Sequence, residues 1–167
     1  FQSGTYFNTE INSVSDIETL SQLLSDPDKV NSTIIIRGIP NEDVDLNKPV
    51  RRKLYRASTE LEGKNEQPFI DHPQSWLMID IDKFQLPSGL SVIENTEEAI
   101  EYTVQQLPPE FQNVTYHWQL SASAGLFSSD SLSVHLWFWL EGAVATYDLK
   151  EWAKVYNRLY GRKLIDH

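Results

Sequence analysis

The run Ser75-Trp76-Leu77-Met78-Ile79-Asp80-Ile81-Asp82 constrains the chain more than any other feature: it is apolar for most of its length and ends on two carboxylates one residue apart. A short continuous apolar stretch of this kind reads as a strand buried on both faces. Residues two apart in a strand project to the same side, so Asp80 and Asp82 share one face while Leu77, Ile79 and Ile81 take the other. Two like charges at the end of a buried strand repel each other, and desolvating them is costly unless they are protonated or neutralised by a cation. A hard divalent ion, Mg2+ or Mn2+, is the natural partner.

The segments downstream place other polar groups beside this pair. Residues 96–107 carry a helical pattern with Ile100, Val104 and Leu107 inward, closed by Pro108-Pro109. Residues 115–123 alternate like a strand, as do residues 132–140, in which Ser133, His135, Trp137 and Trp139 share one face. Residues 147–160 read as a helix, and Lys163-Leu164-Ile165-Asp166 as the start of another strand. The order from Ser75 is β-α-β-β-α-β, the ferredoxin-like split unit found in RNA-recognition folds and many polymerase palms. The expected class is therefore α+β, with an RRM-like core at 71–167. In strand order 4-1-3-2, Asp80 and Asp82 face Ser133 and His135, and Asp166 lies on the opposite flank. Three aspartates with open water positions suit two ions about 4 Å apart, which can activate a 3′-hydroxyl and stabilise pyrophosphate. The histidine would then bind triphosphate oxygens.

The first seventy residues read as a small α/β annex, 5–70. Ile17, Leu20, Leu23 and Leu24 define a short amphipathic helix with Ser15 as N-cap and Pro27 as stop. Residues 33–37 are β-branched and end at Gly38, which predicts a strand, and residues 41–67 read as a long polar loop or arm. Phe1-Gln2-Ser3-Gly4 resembles the remnant of a cleaved tag and is set aside. No initiator Met opens the chain and its last strand has barely begun, so the expectation is a fragment truncated at its C-terminal end, inactive by itself even where its parent is active.

Composition removes several classes. With 167 residues, 40% apolar content and five Trp, the chain can bury a substantial core. The absence of cysteine excludes disulfides, thiolate zinc sites and cysteine nucleophiles, and fits a cytoplasmic protein. No apolar run approaches the roughly 20 residues needed to span a bilayer, and the first residues lack the basic-then-apolar order of a secretory signal. A formal charge of −10 speaks against nucleic acid as a partner unless the basic residues gather locally. They do gather, at Lys48, Arg51, Arg52, Lys53 and Arg56 and again at Arg158, Arg162 and Lys163. The alternative reading of either cluster is a solvated face.

Other readings of the same residues are open. An EF-hand is excluded because Phe84 and Gln85 stand where a ligand and a glycine are required. A phosphohydrolase with a nucleophilic aspartate lacks the Gly-Thr that usually follows its D-x-D. His135 can be an ordinary sheet histidine, and His72 and His117 have no partner at zinc-ligand spacing and read as structural. Trp137 and Trp139 could stack bases, which would make the chain a non-catalytic single-strand-binding module, or lie under the N-terminal segment.

Taken together, the motifs resemble the archaeo-eukaryotic primase superfamily, particularly the primase-polymerases of plasmids, phages and integrated elements. Trp76 to Asp82 looks like its apolar-strand D-x-D motif, Ser133-Val134-His135 with the apolar run after it looks like its S-x-H motif, and Leu164-Ile165-Asp166 like its final apolar-Asp motif. The resemblance implies that Asp80, Asp82 and Asp166 hold the catalytic metals and that Ser133 and His135 contact the phosphates of an incoming nucleoside triphosphate. Ser123 competes with Ser133 for that contact, because a turn-rich insertion separates Ser121-Ala122-Ser123 from Ser133. Arg37 is a further candidate for phosphate, with a structural salt bridge as its alternative, and Arg51, Arg52 and Lys53 are candidates for nucleic acid. The implied partners are a DNA template and primer, and a helicase domain in the parent protein.

Overall fold

The computed structural model describes residues 6–26, 33–42, 44–51, 68–126, 128–161 and 164–165. In chain order the described elements are β1 (Tyr6–Phe7), α1 (Ile17–Leu24), β2 (Ile39–Pro40), β3 (Val50–Arg51), β4 (Phe69–Ile70) and β5 (Gln74–Gln85). They continue with α2 (Thr96–Val104), a 3-10 turn at Pro109–Phe111, β6 (Tyr116–Leu120), β7 (Ser131–Val144) and α3 (Thr146–Tyr160). The fold is mixed α+β. At its centre β5, β7 and β6 form a three-stranded antiparallel sheet in that order, flanked by two small pairings, β1 with β3 and β2 with β4.

Alternation divides the central sheet into two faces. Leu77, Ile79 and Ile81 of β5 and Leu132, Val134, Leu136 and Phe138 of β7 join Ala99, Ile100 and Val104 of α2 and Ala153 of α3 in the main core. The 3-10 turn adds Phe111, whose ring meets Phe138 edge-on at 4.8 Å between centroids. On the other face, α1 brings Ile17, Leu20 and Leu24 against Trp76 and Trp137. The helix is opened by Asp16, not Ser15: the Asp16 carboxylate accepts from the Thr19 amide at 2.7 Å, and the Thr19 hydroxyl accepts from the Asp16 amide. This reciprocal pair satisfies two amides that would otherwise lack partners. Pro27, the expected stop, lies outside the described residues.

Three expectations are corrected. Residues 33–36 form no strand, and Arg37 and Gly38 make a bend. The short pairing nearby is β2 with β4, and Gly38 lies so close to it that a Cβ there would stand 2.5 Å from the Ile70 carbonyl oxygen. The β-branched run predicted extension, but close backbone approach at a glycine and the inward turn of Arg37 decide the conformation. Secondly, β5 does not end on its carboxylates. It runs to Gln85 through a register shift between Ile81 and Phe84, so that Asp82 and Lys83 together oppose Ser133, and Phe84 returns to the core opposite Leu132. Thirdly, part of the polar stretch 41–67 is ordered, since Val50–Arg51 pairs with Tyr6–Phe7.

The strand expected from Lys163 is not among the described elements. Leu164 and Ile165 are buried in the main core outside regular structure, and their amides both donate to Asn157 Oδ1, at 2.8 and 3.0 Å. Asp166 lies outside the described residues. Among the described residues no helix is long and apolar enough to cross a membrane.

Candidate metal and phosphate site

The face of the sheet turned towards α1 changes character along its length. At one end Trp76 and Trp137 are buried, their rings 5.6 Å apart and tilted. Further along, Asp80 stands opposite His135 in register, with His135 Nε2 3.6 Å from Asp80 Oδ1 and both side chains about one-third exposed (35% and 38%). At that separation the two groups are neighbours, too far apart for a good hydrogen bond.

The next rung is built differently. Lys83 adopts a positive φ of 54° at the bulge, a left-handed conformation uncommon for a residue with a side chain. Its amide thereby turns to the Ser133 hydroxyl and donates at 3.0 Å. The same hydroxyl donates to Asp82 Oδ1 at 2.8 Å. Bulges of this kind re-aim a side chain and shift the register of the ladder beyond them by one residue. Here the device brings Asp82 and Ser133 into contact beside the Asp80–His135 rung. Lys83 was not among the residues singled out from the sequence; the polar pair Asp82-Lys83 ahead of Phe84, which breaks the alternation, is the only trace the bulge leaves there.

The remaining candidates fall elsewhere. Ser123 is exposed in the turn after β6, and its hydroxyl lies 3.3 Å from that of Ser121. Ser121 extends the β6–β7 ladder by donating its amide to the Ser133 carbonyl at 2.9 Å, so Ser123 follows the strand on the far side of β7 from Asp82. Of the two competing serines, Ser133 contacts the carboxylate. Arg37 is at the opposite end of the sheet. Its guanidinium donates to the carbonyls of Trp76 (3.1 Å), Gln74 (3.0 Å) and Val144 (2.5 Å) and to Thr146 Oγ1 (2.9 Å), and lies 5.7 Å from the Trp76 ring centre. Asp80 lies six positions along the strand from Gln74, about 20 Å at the rise of an extended chain. The fork of Arg37 is thus directed at protein acceptors, a structural arrangement through hydrogen bonds that clamps the Gln74 end of the sheet. Arg51 contributes backbone to β3, and its side chain, like Arg52, Lys53 and Asp166, is outside the described residues.

Trp137 does not offer a base-stacking surface, because α1 covers it and leaves it 6% exposed. Polar groups fix that cover: Ser21 Oγ is hydrogen-bonded to His117 Nδ1 at 2.8 Å, and Gln119 donates to the Leu24 carbonyl at 3.0 Å. Burial holds the His117 imidazole below its ordinary pKa. His117 is therefore structural, as its spacing in the sequence indicates.

Among the described residues no group of three or more His, Asp or Glu side chains is placed to hold a metal ion. Asp80 and Asp82 offer oxygen donors only, the kind that hard cations such as Mg2+ take. Mg2+ dehydrates reluctantly, keeps several waters and is commonly held by one or two carboxylates together with substrate phosphates. The donor set is all oxygen, which suits a hard cation and not a soft one. No protein-family model matches the chain, and neither the curated proteins nor the solved structures contain a match to it.

Proposed function

We propose that this chain is the catalytic core of a DNA primase-polymerase, transferring nucleotides to a 3′-hydroxyl under the direction of a template. The observation that carries this reading is the pair of adjacent rungs, Asp80 with His135 and Asp82 with Ser133, at one end of the sheet. The element order β5-α2-β6-β7-α3 and the sheet order β5-β7-β6 support the RRM-like arrangement on which such sites are built.

In this reading Asp80 and Asp82 hold Mg2+ or Mn2+, joined by Asp166 as the resemblance implies. The chemistry supplied by such ions when bound is activation of a 3′-hydroxyl and neutralisation of the departing pyrophosphate. His135, exposed beside Asp80, donates from its imidazole to a triphosphate oxygen and orients the nucleotide. Burial of Ile79 and Ile81 beneath the carboxylates fixes the strand that carries them, so their spacing is preset before substrate arrives. The DNA template and primer are the partners, with a helicase domain as the expected companion in the parent protein.

Replacing Asp80 and Asp82 together by Ala in the full-length protein is expected to abolish primer extension and to remove Mn2+ binding. Unchanged synthesis by that variant would refute the assignment. A phosphoester consumed without template or primer would point to the phosphohydrolase reading.

A further inference from the structure

We infer that Ser133 is a positioning residue for Asp82 and is not itself a phosphate ligand, an inference that rests on the metal-site reading of Asp80 and Asp82. The Ser133 hydroxyl has one proton, and it is given to Asp82 Oδ1 at 2.8 Å. One of its lone pairs is taken by the Lys83 amide at 3.0 Å. The residue is 4% exposed, whereas Asp82 beside it is exposed. A triphosphate oxygen reaching Ser133 would have to displace both partners and enter a closed position. A ligand approaching this end of the sheet meets Asp82 and His135 first.

The bulge gives the hydroxyl its task. With Asp82 and Lys83 both opposite Ser133, the ladder no longer dictates where the Asp82 carboxylate sits, and the serine restores that constraint with a charge-assisted hydrogen bond. Groups that orient a metal-binding carboxylate in this way typically govern metal affinity by 10- to 100-fold. Loss of the hydroxyl is therefore read in the metal equilibrium, while the nucleotide's own contacts persist.

The test is a Mn2+ titration followed by the electron paramagnetic resonance of free Mn2+, paired with binding of a deoxynucleoside triphosphate at Mn2+ concentrations that restore occupancy. Ser133→Ala is expected to weaken Mn2+ binding about tenfold or more and to leave triphosphate affinity at saturating Mn2+ unchanged. Ser133→Cys, which keeps the volume and supplies only a weak donor, carries the same expectation and serves where the alanine variant fails to fold. Ser133→Thr retains a hydroxyl and should retain Mn2+ affinity. Unchanged Mn2+ binding with weakened triphosphate binding in Ser133→Ala would overturn the inference alone, provided Asp80→Ala removes Mn2+. If Asp80→Ala leaves Mn2+ binding intact, the metal-site reading falls and this inference with it.

Discussion

Lys83 shows how much one backbone conformation decides. Its positive φ aims the amide at Ser133, and the register shift around it separates the carboxylate end of β5 from the continuation that returns Phe84 to the core. A lysine tolerates the left-handed region at a cost of about 1 kcal/mol, and a β-branched residue fits it much less well. Lys83→Val should therefore lower stability by about 1–2 kcal/mol, read as a drop in the thermal midpoint, whereas Lys83→Gly should not lower it. The contrast between the two variants isolates backbone strain from loss of the charge. At this scale the sequence was legible where a period was intact. Asp80 and His135 were placed opposite each other by strict alternation and antiparallel order. The bulge was not legible, because an inserted residue shows only as a broken pattern, and a broken pattern also marks the end of a strand. Ser133 was expected, like His135, to face Asp80 and Asp82, but its second partner, the Lys83 amide, was not legible, since it follows from the bulge.

Among the elements, α1 was readable from its apolar spacing, and cover by the N-terminal segment was one of two readings of Trp137 and Trp139. The contacts that seat it are polar and could not be read, because Ser21 and His117 are 96 positions apart in the chain. They make the docking sensitive to pH. The His117 imidazole is held below its ordinary value by burial, so the unfolded chain takes up a proton at higher pH than the folded one. Stability is then full above about pH 6.5, the ordinary histidine value. It declines as the pH falls below that value and flattens once the folded-state value has been passed. A thermal midpoint that drops between pH 8 and pH 5, with a shallower drop in His117→Gln, is the expected result; identical slopes would remove His117 as the cause. The misread strand at 33–37 has the opposite origin. Its β-branched residues satisfied local propensity, but Arg37 is drawn inward by three carbonyls and a hydroxyl, and tertiary contacts outweighed the local preference.

Across the whole molecule the β5–β7 ladder keeps two tasks apart. The Gln74 end is fastened by Arg37, and the Asp80 end is left open to solvent on the face not packed by α2 and α3. Replacement of Arg37 by Lys cannot reproduce a planar fork serving four acceptors, and should cost about 2 kcal/mol of stability without weakening Mn2+ binding. Asp80→Asn should do the reverse. With the two positions about 20 Å apart, the stability changes in the double variant should add to within about 0.5 kcal/mol; a larger discrepancy in denaturant unfolding would show that the two ends communicate. The class of fold was legible from element order, whereas the continuation after Ile165 was not, because Leu164 and Ile165 satisfy the same apolar pattern whether they extend into a strand or are pinned by Asn157.

The bond between Asp82 and Ser133 joins positions 51 residues apart. On a ribosome adding roughly 5–20 residues per second, Asp82 emerges about 3–10 s before the hydroxyl that will orient it. During that interval the nascent chain carries two neighbouring carboxylates on an unpaired apolar strand, with β7 still unmade. In the proposed reading the carboxylate pair therefore meets its orienting hydroxyl only after β7 has been made, and a chain stalled before that point would carry the D-x-D motif without its Ser133 contact.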